Sequence, residues 1–506
     1  MTALFQLDIP VDDMSRVDIP YGEWLPDLPE LNNPGAVEAL NVLPIEGGYS
    51  PFPSLVTGAA LPAVVRGATS VVSAADIVQI YAGTVGGLYT KFGSIDTPFI
   101  HLLTTPSSED NAWKFVRVNE QMVMIHPEHD PMRTPVGSTT PPVVLGGAPP
   151  RAACGAQVND FLMLGNLLID TDDDNNYFPS RIRWSGFNNI DLPWISDPIT
   201  QADFQDMPAE GGPVIAIAGR DGGTVFQARM ISRVTYRGPP TIFDITTMED
   251  KRGAIARDCV VDIGPYQYFI AEDGFFQWNG TNSTPIGDSR VNRYFFSRLQ
   301  YGRRNRIVGA PDFVNGCVHW AFPTSTSGVL DEIITYSYRE NRFAHTKVPL
   351  EYIFNSALSN VTAEELTAPA ESYTVSFDSP AFRSGGRARL AGFSASSAYG
   401  LFQGPNMEAA IATGEFSAPE GRRIFVNHAR PLIDVQAPAV TMQIAMRDQM
   451  IGESVVYGDP VYQEIDGQCS IFADARYMRF RTNIPAGIPW QHAVGVQISR
   501  KPSGEF

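Results

Sequence analysis

The chain has 506 residues, 43% of them apolar and 11% aromatic, with 44 Gly and 40 Pro. That is enough for two or three domains, or for one large repeat architecture with a smaller companion, in a chain full of turns. Lys and Arg total 37 against 55 Asp and Glu, a formal charge of −18, which excludes a general nucleic-acid-binding surface because phosphate neutralisation requires a cationic one.

The opening stretch MTALFQLDIPVDD is acidic and lacks the basic region of a secretory signal. No apolar run approaches the roughly 20 residues of a membrane span, so the chain is expected neither to be secreted nor to insert in a membrane. Residues 1–49 read as an extended N-terminal arm. Pro10, Pro20, Pro26, Pro29, Pro34 and Pro44 forbid a long helix, and Leu25, Leu28, Leu31 and Leu40 give scattered anchors. Such a segment is either a strap along the protein's own surface or an arm that binds a partner.

From residue 50 onward, strand pairs recur. Ile77–Tyr81 with Leu88–Phe92, Trp113–Val118 with Met122–Ile125, and Phe161–Leu164 with Leu167–Ile169 are each separated by short polar turns. Val214–Ala218 turns through Arg220-Asp221-Gly222-Gly223 into Val225–Ile231. Val318–Phe322 precedes Ile333–Tyr338, which turns through Glu340-Asn341 into Phe343–Lys347. The clearest unit is Cys259 to Gly280, CVVDIGPYQYFIAEDGFFQWNG, a three-strand meander broken at Gly264-Pro265 and Asp273-Gly274. Both faces of that sheet are rich in apolar groups, so it needs neighbours like itself, which is the logic of a propeller blade. YAGTVGGLY at 81–89 and IAEDGFFQW at 270–278 add a faint internal repeat, and the one helical candidate is weak, at Val291–Gln300. Residues 50–415 are therefore expected to form a β-propeller of about six to eight blades. After a Ser/Ala/Gly-rich stretch at 383–404, alternation at 441–446 and 477–483 marks residues 416–506 as a small C-terminal β-domain, a sandwich or barrel. The fold class expected is all-β.

The chemistry is thin. Asp170, Asp172, Asp173 and Asp174 have the spacing that opens a calcium loop, but Asn175 stands where the turn needs Gly and Arg181 where a bidentate Glu is required. His126, Glu128, His129 and Asp130 in HPEHDP offer ligand atoms, yet the prolines break the helix that would align two histidines. Both are read as loops. Cys154, Cys259, Cys317 and Cys469 are far apart with no CxxC pair and read as buried thiols, and the sequons at Asn279, Asn282 and Asn360 as turn chemistry. A sialidase-type blade signature is met only by Asp221 and Gly223, with Gly219 and Val225 at the Ser and Thr positions. Nucleophile elbows, phosphate loops and zinc spacings do not occur, so neither an enzyme nor a cofactor is expected. The densest basic cluster is Arg303, Arg304 and Arg306 in YGRRNR, a candidate lumen or interface patch in an otherwise acidic chain, or else a solvated loop.

Three stretches carry a resemblance: GEWLPDLPELNNPGAVEALNVLPIEGGYSPFPSL at 22–55, ACGAQVNDFLMLGN with RIRWSGFNNIDLPW at 153–194, and VHWAFP with DEIITYSYRENRFAH at 318–345. They are similar to the tail nozzle proteins of short-tailed bacteriophages, also called tail tubular or DNA-stabilisation proteins. The resemblance is one of texture and motif order and does not extend to the C-terminal domain. It implies a structural virion protein: a propeller-bearing subunit of a hexameric ring below the portal or adaptor, with a channel that retains the packaged genome and passes it during ejection. It also implies a homo-oligomer, contacts with the adaptor or portal ring, transient non-specific contact with DNA, and residence in the host cytoplasm during assembly; attachment of tail fibre or needle proteins is left open, because the resemblance stops before the C-terminal domain. The alternative is a carbohydrate-active or receptor-binding propeller of the virion.

Overall fold

In the computed structural model, residues 15–29, 33–75, 77–168, 177–219, 222–357, 388–417, 422–449 and 454–503 are described. The acidic run at 170–174, Arg220, Asp221 and Asn360 lie outside them. Five four-stranded antiparallel sheets and two further four-stranded units that belong to one larger sheet are arranged in series, and the first strand of each lies beside the first strand, or the lead-in turn, of the next. This is a β-propeller. Blades 1 to 5 span Val65–Thr104, Lys114–Val144, Arg151–Asp206, Val214–Glu249 and Val261–Pro285. The meander expected at Cys259 to Gly280 supplies the first three strands of blade 5, and Ser283–Pro285 adds the fourth. YAGTVGGLY and IAEDGFFQW both fall on the turn between second and third strands, in blades 1 and 5.

Blades 6 and 7 share a strand. Arg342–Ser356 is 15 residues long; its first half pairs with Leu330–Ser337 as the outer strand of blade 6, and its second half pairs with Arg389–Ser394 as the inner strand of blade 7. Ala398–Asn406 follows. Its outer partner is Pro53–Ala60, from the other end of the chain. This closure leaves no gap between last and first blades, which is how a radial β-fold protects its edges. Between blades the packing is close. A Cβ at Gly83 would meet the Trp113 ring at 2.3 Å, so only glycine lets blade 2 approach blade 1 there.

Residues 15–51 run extended, as the prolines dictate, and they are woven into the C-terminal unit. Ser15–Pro20 pairs with Ala493–Pro502, and Val42–Ile45 with Gly48–Pro51 extends the same sheet, which also holds Ile424–Ile433 and Cys469–Ala475. Glu38–Leu40 pairs with Ala409–Ala412 in a second sheet with Tyr477–Ile484 and Thr441–Arg447. Val426, Ile471 and Ile498 from the first sheet and Met442, Met478 and Phe480 from the second are all buried in one core, which makes this unit a sandwich. Its boundary falls before Ala409, because that strand already hydrogen-bonds to Tyr477–Ile484 and not to blade 7.

The same segment ties sandwich to propeller. Trp24 is fully buried, stacked on His345 of blade 6 with centroids 4.6 Å apart and set edge-on to Tyr294 at 4.9 Å. The helix Asn292–Arg298 begins without a capping side chain of its own, and Asp27 serves instead, accepting the backbone N–H groups of Arg293 (2.7 Å) and Tyr294 (2.8 Å). Beneath lies Glu332, 1% exposed, accepting the Tyr294 hydroxyl at 2.6 Å and Arg298 Nε at 2.5 Å, with His345 Nδ1 at 3.3 Å.

Burial alone would raise the Glu332 carboxyl, but His345, Tyr294 and Arg298 together hold it below its ordinary value. A carboxylate lowered by folding stabilises the native state above its unfolded pKa, and that contribution is lost as pH falls through the folded one. Glu332→Gln is therefore expected to lower unfolding free energy by about 3 kcal/mol at neutral pH. In urea melts from pH 7 to pH 3 the gap to wild type should narrow below about pH 4, the ordinary carboxylate range. A gap that widened in acid would show that Glu332 is not ionised in the native protein.

Candidate functional site

The inner strands all begin on one face, where loops from successive blades converge on the axis. There a cavity of about 320 Å³ is lined by Asp110 and Asn111 ahead of blade 2, Arg151 and Tyr177 of blade 3, Arg257 ahead of blade 5, and Asn305 ahead of blade 6. Arg257 belongs to the single turn Arg257–Cys259, held by the Cys259 thiol donating to the Ala256 carbonyl at 3.0 Å and by Trp320 Nε1 donating to the Cys259 carbonyl at 2.9 Å. Its guanidinium donates to the Ala153 carbonyl at 2.8 Å and pairs with Asp258 at 3.3 Å. Asp258, 6% exposed, also faces Lys114 at 3.7 Å. Burial would raise the Asp258 carboxyl, but Arg257, Lys114 and Arg66 hold it below its usual range, so it stays ionised and is no proton donor near neutrality.

Arg66, on the first strand of blade 1, is 1% exposed, and among the described residues its Nε, Nη1 and Nη2 have no hydrogen-bond partner. Burial, with Arg306 and Arg257 beside it, brings its pKa down to about 9. Glu351, on the strand shared by blades 6 and 7, accepts the Val65 backbone N–H at 2.8 Å and the Ser397 hydroxyl at 3.0 Å, and burial raises its carboxyl. The axis on this face is thus a dense set of charges that mostly answer one another.

Arg303, Arg304 and Arg306 share the turn Tyr301–Arg306 but not a surface. Arg303 is ion-paired with Asp110 at 2.8 Å, Arg304 lies over the Tyr301 ring at 4.6 Å, and Arg306 is turned inward against the Glu109 carbonyl at 3.3 Å. Only the first two are in contact with solvent, each half-buried. His126 and His129 open and close a tight hairpin, with Trp113 stacked on the His129 ring at 5.5 Å. Nδ1 of His126 is taken by the Glu128 N–H at 3.1 Å, and burial with His129 and Arg257 nearby pushes its pKa down to about 3. The four cysteines are free, buried thiols. Among the described residues, no His, Cys, Asp and Glu side chains gather as a metal-binding group, and no side chain lining the cavity pairs a nucleophile with a base. The arrangement can hold a polar ligand through Arg151, Arg257, Asn111 and Asn305.

The axial residues Arg66, Arg257, Asp258 and Glu351 were not singled out by the sequence. The signal was a charge inside or next to an apolar inner strand, as in Val65-Arg66-Gly67-Ala68 and Arg257-Asp258-Cys259-Val260-Val261. In a propeller such a strand faces the axis, where a charge is costly unless paired.

No protein-family model matches the chain, and no curated protein matches it in sequence. Among solved structures, the extracellular domain of a hybrid two component system from B. thetaiotaomicron is 8% identical with a TM-score of 0.39, covering 77% of this chain and 44% of that one. BamB from Moraxella catarrhalis is 10% identical with a TM-score of 0.34, covering 78% and 97%, and a chain of the mitotic checkpoint complex is 10% identical at 0.39, covering 71% and 97%. At these identities and scores the likeness says nothing about what this chain binds. The chain is an all-β protein built as a seven-bladed propeller joined to a sandwich.

Proposed function

We propose that this chain is a structural subunit of a tailed-phage virion, one copy in the nozzle ring below the portal or adaptor that retains the packaged genome and lets it pass. The observation that carries the proposal is the division of labour in the fold. The propeller satisfies its own edges by closing on residues 53–60, while the sandwich leaves Tyr462, Ile465 and Phe472 on neighbouring segments at 75%, 88% and 72% exposure. Clustered exposed apolar groups mark contact surfaces, so the sandwich is suited to bind copies of itself, the adaptor, or fibre and needle proteins. Two of the three resembling stretches, 22–55 and 318–345, meet at the Trp24 and His345 stack, so they belong to the junction that sets how sandwich and propeller are joined.

A conduit must pass duplex DNA without gripping it, and each cation offered to phosphate adds affinity at every step. Net charge of −18 per copy works against gripping, and so does the internal pairing of Arg303 and Arg306. The isolated protein is expected to retain duplex DNA only weakly and without sequence preference, with retention lost as salt rises. A fluorescence titration of duplexes of several sequences across salt checks this. Tight binding that survives high salt and prefers one sequence would replace the conduit with a DNA-recognition role.

A further inference from the structure

On the opposite face of the propeller, where the inner strands end, blades 5 and 6 leave a groove of about 640 Å³, within the roughly 300–1,000 Å³ of small-ligand sites. Tyr266, Tyr268 and Gln277 line it from blade 5, and Phe313, Tyr336 and Tyr338 from blade 6. The rings form a platform: Tyr268 and Tyr338 stack with centroids 6.1 Å apart at 24°, while Tyr266 and Phe313 stand 41% and 43% exposed. No lining residue is charged, in a chain where 18% of residues are.

Tyr336 has its hydroxyl satisfied by Asn341 Oδ1 at 3.0 Å. Tyr268 is different. It is only 4% exposed and lines the groove, yet among the described residues its hydroxyl has no hydrogen-bond partner, and neither do the Tyr266 and Tyr338 hydroxyls or the Gln277 carboxamide beside it. Burying an aromatic ring while presenting its polar tip to a groove leaves a donor and acceptor that a ligand can satisfy.

We propose that this groove is a binding site for a neutral saccharide, with a sugar ring laid on the Tyr266 and Phe313 side and its hydroxyls bonded to Tyr268 and Gln277. A saccharide fits the groove's chemistry on three counts. It offers an apolar C–H face to aromatic rings, hydroxyls that both donate and accept, and no charge. A proline-rich peptide, the other usual guest of an aromatic groove, brings carbonyls that accept from the phenols but no N–H at proline to donate to the Gln277 carbonyl, whereas sugar hydroxyls do both.

The test uses the full chain against an array of neutral glycans that includes maltohexaose, cellohexaose and chitohexaose, followed by titration of the best binder, with a proline-rich decapeptide as the rival probe. Binding of at least one neutral glycan is expected. Tyr268→Phe should weaken it about three- to ten-fold, the worth of one hydrogen bond, without lowering the melting temperature, since the hydroxyl has no partner among the described residues. Tyr266→Ala, at an exposed position, should weaken it at least as much. Three results would each overturn the assignment: no neutral glycan bound at millimolar concentration, glycan binding unchanged in both variants, or the decapeptide alone bound in a Tyr266-dependent way.

Discussion

Deleting residues 53–60 is expected to abolish the native fold of the whole propeller. That strand is the outer partner of Ala398–Asn406, and its loss exposes an edge together with Leu401 and Phe402, each now 6% exposed. Phe52, which meets Phe402 edge-on at 5.4 Å, loses its anchor as well. A ring of blades has no partial solution of equal quality, because opening it frees inner-strand contacts on both sides of the break. The loss should exceed most of the about 5–15 kcal/mol by which domains are stable. Circular dichroism melts and limited proteolysis check it: the deletion variant should lack a cooperative transition and be digested within the blades. A variant that melts cooperatively within a few degrees of wild type would mean that the ring does not depend on this closure.

Trp24→Ala carries the second large effect. The ring is fully buried between His345 and Tyr294, and removing a buried tryptophan costs about 3–5 kcal/mol. Its position predicts more than a lower midpoint. Trp24 lies on the segment that joins sandwich to blade 6, beside Asp27 on the helix start and the Glu23 and Arg290 ion pair, so its loss should also uncouple the two units. Urea unfolding followed by far-ultraviolet circular dichroism and by tryptophan fluorescence should give coincident curves in wild type and separated ones in the variant. A loss below about 1 kcal/mol with coincident curves would contradict the junction described here.

The blades were legible where turn chemistry is local. Gly264 at φ +59 and Gly274 at φ +143 carry the turns of blade 5, and Asn119, at φ +53, one of blade 2, all conformations that Gly and Asn tolerate and that a sequence advertises. Blade 3 differs from the expectation: Gly165-Asn166 is not a turn between two strands but an irregularity inside the single strand Phe161–Leu168, and the hairpin turn falls before it, at Asn159. Partners across the chain were not legible. Ser15 pairs with Arg500 and Leu55 with Phe402; alternation says that a segment is a strand but not which edge, hundreds of residues away, it will complete. For this reason the proline-rich opening read as an arm, although its short strands complete the sandwich. The basic run was misleading in a similar way. Arg303 and Arg306 stand one 3-10 turn apart in a segment that kinks at Arg303, and they point differently, one towards solvent and Asp110, the other towards the axis; spacing in a loop fixes no such direction. The tyrosine groove was invisible for a further reason, since Tyr266 and Phe313 come from different blades and line one groove only once blades 5 and 6 pack side by side.

The most direct measurement of the central claim is the state of the purified full chain, by sedimentation and negative-stain imaging. A nozzle subunit predicts closed rings with a central opening and a mass of six copies of the 55.4 kDa chain, and those rings should fall apart when charge is placed on the sandwich surface by Ile465→Asp with Phe472→Asp, each subunit keeping its β-rich spectrum. A monomer at every concentration tested, unchanged by those substitutions, would contradict it.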